Sequence, residues 1–367
     1  MTSDILFQPV RLGDIELPNR IVMASMSRAR TENPGLVPTL LQAQYYEQRA
    51  SAGLILTEGT WPSREAVGAV HVPGLFTSEQ VEGWKRVTDA VHNAGGRIVV
   101  QLGHTGAVSH PDLLGGSLPF GPSAVSVNAP VFTPSGFQTS PAPRPMTLDD
   151  IERTVEDYAR STRLAQDAGF DGVELHGIVG YLVPEFLHER FNRREDQYGG
   201  SIENRARFPL EILAAMISEW KSSRVGLKLS PTATMGDFSP TDQTLPTYEY
   251  LVGRVSDLNL AYLQLYHMPG DLTGTPVEAL SNGTAQHFRG FYAGPIIANG
   301  SLDKGSAEVL LRSGAVDAVA FGTPYLANPD FVERLRDGVD LAPVPPRETW
   351  YAGGARGYAD YPRATVA

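Results

Sequence analysis

Short apolar runs alternate with longer amphipathic stretches about eight times along this chain. Each run is bounded by glycine, proline or polar residues, which is typical of a buried strand. We predict strands over residues 21–24, 54–57, 97–102, 172–175, 225–229, 261–265, 295–298 and 318–321. Between them, apolar residues recur with the period of a helix over residues 40–52, 78–94, 148–168, 202–221, 247–256 and 304–313.

This alternation predicts the fold. Strands that alternate with helices form a parallel sheet, and eight such units close into a barrel. We therefore predict the α/β class and a single (β/α)8 TIM barrel over residues 1–367. It would have an N-terminal cap, an excursion after the third strand over about residues 105–145, and a C-terminal tail over about residues 340–367. An open, doubly wound sheet is the alternative, but the G-x-G-x-x-G turn expected after an early strand of that fold is missing.

Glycines mark the predicted helix ends. Gly53, Gly95, Gly169 and Gly314 each follow a helical stretch and precede a strand. A residue with left-handed backbone is favoured just after a helix, and glycine adopts that conformation without steric cost. We predict this role for all four.

Composition and charge narrow the classes of function. The chain has no cysteine, which excludes disulfides, thiolate metal sites and thiol nucleophiles. Its net charge of −11 argues against a nucleic-acid partner. The first ten residues lack the cationic and apolar parts of a secretion signal, and no apolar run is long enough to span a membrane. We expect a cytoplasmic protein that acts on a small molecule. A homo-oligomer is left open, and no metal site is predicted.

Polar residues and glycines collect at the predicted carboxyl ends of the strands, where barrel enzymes carry their catalytic groups. They are Ser27, Gly59, Gln101, His104, His176, Lys228, His267, Asn299, Gly300 and Gly322. The glycines after the last two strands predict a phosphate site, although tight turns alone would also explain them. Lys228 requires a nearby anion or electron-rich acceptor, because a buried ammonium group is otherwise costly.

Several longer segments resemble the motifs of one enzyme family. In chain order they are PNRIVMASMSRAR (residues 18–30), QLGH (101–104), ELHGIVGYL (174–182), YGGSIENRARF (198–208), IIANG (296–300), AFGTPYLANPDF (320–331) and GYADYP (357–362). Together they resemble the old yellow enzymes, which are flavin-dependent ene reductases. The resemblance covers nearly the whole chain.

The resemblance implies a non-covalently bound FMN across the barrel mouth and NAD(P)H as its reductant. By position, the residues expected against the isoalloxazine are Ser27, Gly59, Gln101 and Lys228. Those expected against the ribityl phosphate are Asn299, Gly300, Gly322 and Thr323. The catalytic residues would be His176, which would donate a hydrogen bond to the substrate carbonyl, and Tyr181, which would protonate the alkene.

Further residues are expected to contact the substrate. They are His176, Val179, Gly103, His267 and Tyr358, with Tyr351 as another wall of the pocket.

Four positions depart from the family pattern. Val179 stands where members have a second polar donor to the carbonyl, and Thr323 stands where they usually have an arginine against the phosphate. Lys228 replaces an arginine, so the positive charge remains but the planar, bidentate hydrogen bonding of a guanidinium group is lost. Gly103 occupies the position of a tryptophan in many members.

These departures leave two hypotheses open. The first is an FMN-dependent oxidoreductase that reduces a carbonyl-conjugated C=C bond, with altered substrate activation and a bulky or biosynthetic substrate. The second is a family member that has lost ene reduction and catalyses isomerisation or cyclisation, with or without flavin. A non-catalytic binding barrel is a weaker third alternative. A metal hydrolase would need paired histidines on the first strand, which has none.

Overall fold

The computed structural model describes residues 4–364, and its centre is a closed barrel of eight parallel strands. The strands are β1 (Ile21–Met23), β2 (Leu54–Thr60), β3 (Ile98–Leu102), β4 (Gly172–Gly177), β5 (Val225–Leu229), β6 (Tyr262–Tyr266), β7 (Ile296–Asn299) and β8 (Ala318–Phe321). Each strand pairs with the next in sequence, and β8 closes on β1. This confirms the predicted (β/α)8 fold. The bounds of β5 and β8 agree with the prediction, whereas β2 and β4 extend further.

Helices cover the outside of the barrel. They are α1 (Leu40–Glu47), α2 (Ser78–Asn93), α3 (Leu148–Asp167), α4 (Leu182–Leu187), α5 (Ile202–Glu219), α6 (Thr244–Ser256), α7 (Thr284–Phe288), α8 (Lys304–Arg312) and α9 (Phe331–Asp337). Thr39, Thr77, Thr147 and Asp303 begin four of them with reciprocal capping boxes, which satisfy amide groups that a helix start leaves free. Within residues 4–364 no helix is both long and apolar enough to cross a membrane.

Three of the four predicted helix-end glycines have left-handed backbone. Gly95, Gly169 and Gly314 have φ of 82°, 80° and 73°. The prediction was wrong for Gly53, whose φ is not positive. A Cβ there would lie 2.1 Å from the backbone oxygen of Asn19, so glycine is needed at this position for close packing and not for its backbone angles.

The amino-terminal residues close the bottom of the barrel. Two strands, Val10–Leu12 and Ile15–Leu17, form an antiparallel hairpin. Its buried side chains pack with the lower apolar layer inside the barrel, which includes Val22, Leu54 and Ile297. The polar residues are therefore left at the opposite end, where the strands finish.

The long segment between β3 and α3 forms a wall beside that open end. Strands Pro130–Thr133 and Gly136–Thr139 make a hairpin, and Phe120–Gly121 pairs with Arg144–Pro145. Its apolar residues, Val127 among them, form a separate cluster with Phe191 from the loop after β4 and Phe238 from the loop after β5. The segment thus packs on the loops that follow β4 and β5.

Two arginines tie the C-terminal segment to the loop after β1. The guanidinium group of Arg28 donates to the backbone oxygens of Trp350 and Gly357, at 2.9 and 2.8 Å. Arg30 donates to the backbone oxygens of Thr349 and Trp350, at 2.8 and 3.0 Å. These bonds bring the end of the chain to the barrel mouth.

Candidate active site

A cavity of about 720 Å³ opens at the carboxyl ends of the strands. Loops after β1, β4, β7 and β8 line it, together with residues of β5 and β6 and the C-terminal segment. The predicted site residues that the structure brings together in its lining are Ser27, Val179, Lys228, Asn299, Gly300, Gly322 and Thr323. Tyr351, predicted as a wall, also lines it.

His176 and Tyr181 form a stacked pair on the β4 side. Their ring centroids are 5.0 Å apart, and the ring planes differ by 26°. Burial and the nearby charge of Lys228 lower the pKa of His176 to about 3, so its imidazole is neutral at neutral pH. Burial raises the pKa of Tyr181 to about 12, so its hydroxyl keeps its proton. The pair can therefore offer a neutral N–H donor and an O–H proton.

The turn that separates these two residues has an unusual backbone. Val179 has φ of +55° and Gly180 has φ of +64°, both in the left-handed region. A β-branched residue is rarely found there, because its Cβ crowds the following carbonyl. This turn sends the chain into α4 with Tyr181 at its start.

Lys228 is a buried cation that faces the cavity. It is 3% exposed, and among the described residues its ammonium group has no hydrogen-bond acceptor; it lies 5.7 Å from the ring centroid of Tyr266. Burial lowers the pKa of Lys228, while the charge of Glu174 opposes that shift. Such a group needs an electron-rich partner, which a ligand in the cavity could supply.

A chain of hydrogen bonds runs beneath this lysine through the barrel interior. Ser25 donates to the side-chain oxygen of Gln101 at 2.7 Å, and the Gln101 amide nitrogen donates to Glu174 at 2.6 Å. Burial raises the pKa of the Glu174 carboxyl, against the effect of Lys228. Gly59 pairs with Gln101 across β2 and β3.

The sequence analysis did not predict that Glu174 belongs to the hydrogen-bond chain beneath the site. A signal was present, because Glu174 is two residues before His176 in a buried strand, and residues two apart point to the same face.

Comparisons with known proteins place the chain in a family. The model of the NADH:flavin oxidoreductase / NADH oxidase family matches residues 5–342. The chain is 38% identical over 384 residues to a flavin oxidoreductase of Emericella nidulans, an alignment that covers 98% of this chain and 97% of that protein. The protein belongs to this family. It is an FMN-dependent oxidoreductase of the old yellow enzyme type, with NAD(P)H as its reductant.

Two further relatives support the same assignment for this flavoenzyme. 12-Oxophytodienoate reductase 1 of Oryza sativa subsp. japonica is 36% identical over 370 residues, with 97% of this chain and 92% of that protein covered. The structure of morphinone reductase in complex with tetrahydroNAD superposes with a TM-score of 0.91 at 41% identity, with 98% of each chain covered. Both of these relatives of the oxidoreductase are named as reductases.

The cavity of the oxidoreductase has the features that FMN requires. Lys228 could face the pyrimidine edge of the isoalloxazine, where a cation stabilises the reduced flavin. Gly300 has φ of +126°, and a Cβ on it would lie 2.2 Å from the backbone oxygen of His267, so no larger residue fits. Gly300, Gly322 and Thr323 could hold the ribityl phosphate through backbone amides and a hydroxyl. The residues present therefore fit a flavin, and at the phosphate end they offer neutral donors only.

Of the predicted substrate contacts, Val179 lines the cavity, whereas His176, Gly103, His267 and Tyr358 are not part of its lining. Tyr358 has 0% exposure and stacks on Tyr45 at 3.9 Å between centroids, so its ring cannot meet a ligand. The Nδ1 of His267 is hydrogen-bonded to the hydroxyl of Thr284 at 2.9 Å.

The remaining predicted residues lie next to the cavity. A Cβ on Gly103 would be only 3.2 Å from the Cβ of His176, so the absence of a side chain here lets the histidine pack closely against the backbone. His104 braces the loop, since its Nδ1 accepts from Gly106 and its backbone oxygen accepts from Leu182. Within the described chain, no three His, Asp or Glu side chains converge as a metal site would require.

Proposed function

We propose that this flavoenzyme reduces a C=C bond conjugated to a carbonyl group and that it prefers a bulky acceptor. The observation that carries the proposal is the stacked pair of His176 and Tyr181 beside the cavity that Lys228 lines. One member of the pair is a neutral donor and the other keeps its proton. Reduction of such an alkene needs both groups, because negative charge develops on the carbonyl oxygen and a proton must reach the α-carbon.

FMN, which Lys228, Gly300, Gly322 and Thr323 would hold, would supply a hydride for the β-carbon. The neutral imidazole of His176 donates an N–H to the acceptor carbonyl and stabilises the charge that develops on its oxygen. The hydroxyl of Tyr181 gives its proton to the α-carbon, which completes the addition of two hydrogens. The positive charge of Lys228 would offset negative charge on a reduced flavin.

Preference for a bulky acceptor rests on two positions. Gly103 packs closely against His176, where a Cβ would already lie 3.2 Å from that of the histidine, so no side chain from this position takes up room beside the acceptor. Val179 lines the cavity with an apolar side chain, so His176 acts without a second side-chain donor from that turn. An acceptor with large apolar rings would gain binding from both features, and a small enone would lose activation without a matching gain.

Val179 also favours the second candidate, a non-reducing isomerase or cyclase. Without a donor at this position, carbonyl activation falls, and a donor in such a site is worth on the order of 10²–10³ in rate. His176, Tyr181 and Lys228 would then act as acid and base groups.

The test is a visible spectrum of the purified protein followed by anaerobic titration with NADPH and with NADH. We expect a flavin band that at least one nucleotide bleaches. Reoxidation is then timed with 2-cyclohexenone and with a fused tricyclic enone, and the larger acceptor should be faster. Faster reoxidation by cyclohexenone would contradict the preference for a bulky acceptor. A flavin that neither nucleotide reduces would favour the isomerase.

A further inference from the structure

The end of the cavity formed by the loops after β7 and β8 carries no cation. Its residues are Asn299, Gly300, Ser301, Asp303, Gly322 and Thr323. In the whole cavity lining of the described chain, only Arg28 and Lys228 are cationic.

Neither cation serves that end. The guanidinium group of Arg28 donates to the backbone oxygens of Trp350 and Gly357 and to the hydroxyl of Tyr45, at 2.9, 2.8 and 2.9 Å. Lys228 is buried on β5, beside the isoalloxazine region. Lys304, the first residue of α8, lies outside the lining and pairs with Asp4 at 2.9 Å.

The same end does carry an anion. Asp303 lines it and caps α8, accepting at 2.7 Å from both the backbone nitrogen and the hydroxyl of Ser306. These bonds lower the pKa of the Asp303 carboxyl, so it is ionised at neutral pH. A phosphate placed here would meet neutral donors and one negative charge, which repels it.

We propose that this protein binds flavin through the isoalloxazine and ribityl parts and binds FMN only slightly more tightly than the same flavin without its phosphate. Riboflavin, which lacks the phosphate, should bind within about tenfold of FMN, because neutral hydrogen bonds contribute little net affinity and Asp303 opposes them. Thr323 is the residue that sets this discrimination. The inference rests on the flavin site of the proposed function and concerns the cofactor alone.

The experiment is a competition on the holoprotein. The protein is equilibrated with equal excesses of FMN and riboflavin, free flavin is removed by gel filtration, and bound flavins are separated by chromatography. We expect a bound ratio of FMN to riboflavin between about 1 and 10.

Two substitutions sharpen the result. Thr323→Arg should raise the ratio about ten- to a hundredfold by adding a charge-assisted bond, and it should leave riboflavin affinity unchanged. Thr323→Gln is the matched control, since it adds length without charge and should leave the ratio near that of the unaltered protein. Asp303→Asn keeps the helix cap and should raise the ratio severalfold.

The outcomes separate this inference from the proposed function. A ratio of about a thousand in the unaltered protein would overturn the inference and leave the ene reductase standing. An equal gain for both flavins in Thr323→Arg would also overturn it. A protein that retains neither flavin would overturn both.

Discussion

The inner layer of the barrel and the loops around its mouth hold their functional groups in different ways. In the inner layer, Gln101, Glu174 and Lys228 are placed by strand pairing, and all three are buried. Around the mouth, Val179 and Tyr181 are placed by a turn with left-handed backbone. Side chains on paired strands depend on one another for charge and hydrogen bonding, whereas those on turns depend on local backbone geometry. Substitutions in the first region should therefore lower stability through coupled losses, whereas those in the second should act through local backbone geometry and activity.

The largest effect is expected in the loop region. Tyr181→Phe should slow alkene reduction about 10²–10⁴-fold, because it removes the proton donor. Flavin reduction by NAD(P)H should be unchanged, and so should the free energy of unfolding. Stopped-flow measurement of each half-reaction checks this. Equal rates in both half-reactions would mean that Tyr181 is not the acid.

Two tyrosines of the C-terminal segment allow a buried core residue to be compared with one that lines the cavity. Tyr358→Ala should lower the free energy of unfolding by about 3–5 kcal/mol, because it removes a fully buried ring stacked on Tyr45. Tyr351→Ala should change stability by less than about 0.5 kcal/mol, since this side chain is 43% exposed, and should change KM instead. Denaturant titrations and steady-state kinetics of both variants provide the comparison. An unstable Tyr351→Ala with an unaltered KM would contradict it.

The inner layer should respond as a coupled unit. Lys228→Met leaves the Glu174 carboxylate without its compensating charge and should cost about 3 kcal/mol of unfolding free energy. Adding Glu174→Gln should recover part of that loss, because the buried charge is then gone. Denaturant unfolding of the single and double variants measures the coupling. Strictly additive losses would show that the two groups do not interact.

A smaller gain is expected at the strained turn. Val179→Asn should raise the free energy of unfolding by about 1 kcal/mol, because asparagine tolerates left-handed backbone better than a β-branched residue. Its amide would also restore a donor and increase the rate with small enones. Val179→Thr is the control, since it adds a hydroxyl but keeps the branched Cβ. A gain in stability from threonine equal to that from asparagine would argue against backbone strain.

The smallest effect is an expected absence of pH dependence. His176 has a pKa lowered to about 3 and Tyr181 a pKa raised to about 12, so neither changes protonation between pH 6 and 9. The rate of alkene reduction should therefore be constant over that range. Burial lowers the pKa of Lys228, so a pH dependence that is lost in Lys228→Met would belong to this residue. Pre-steady-state rates across the range test this. A titration that persists in Lys228→Met would belong to another group.

Much of the fold was predictable from the sequence, because strand and helix periodicity follow from burial alone. All eight barrel strands were found this way, and β5 had the predicted bounds. The short helices α4, α7 and α9 were missed, since each is only five to seven residues long and too short for a helical period to show. Gly53 was misread because crowding by Asn19, which is distant in sequence, has no local signal.

The sequence by itself determined the barrel, the family and the set of polar residues at the strand ends. Those properties follow from alternating burial and from motifs that lie within short segments. Only the tertiary structure showed that Tyr351 faces the cavity while Tyr358 packs on Tyr45, and that Glu174 lies beneath Lys228. The same holds for Arg28, whose N–H donors are occupied by the backbone oxygens of residues 350 and 357. Such facts depend on contacts between residues far apart in the chain, and no local pattern specifies them.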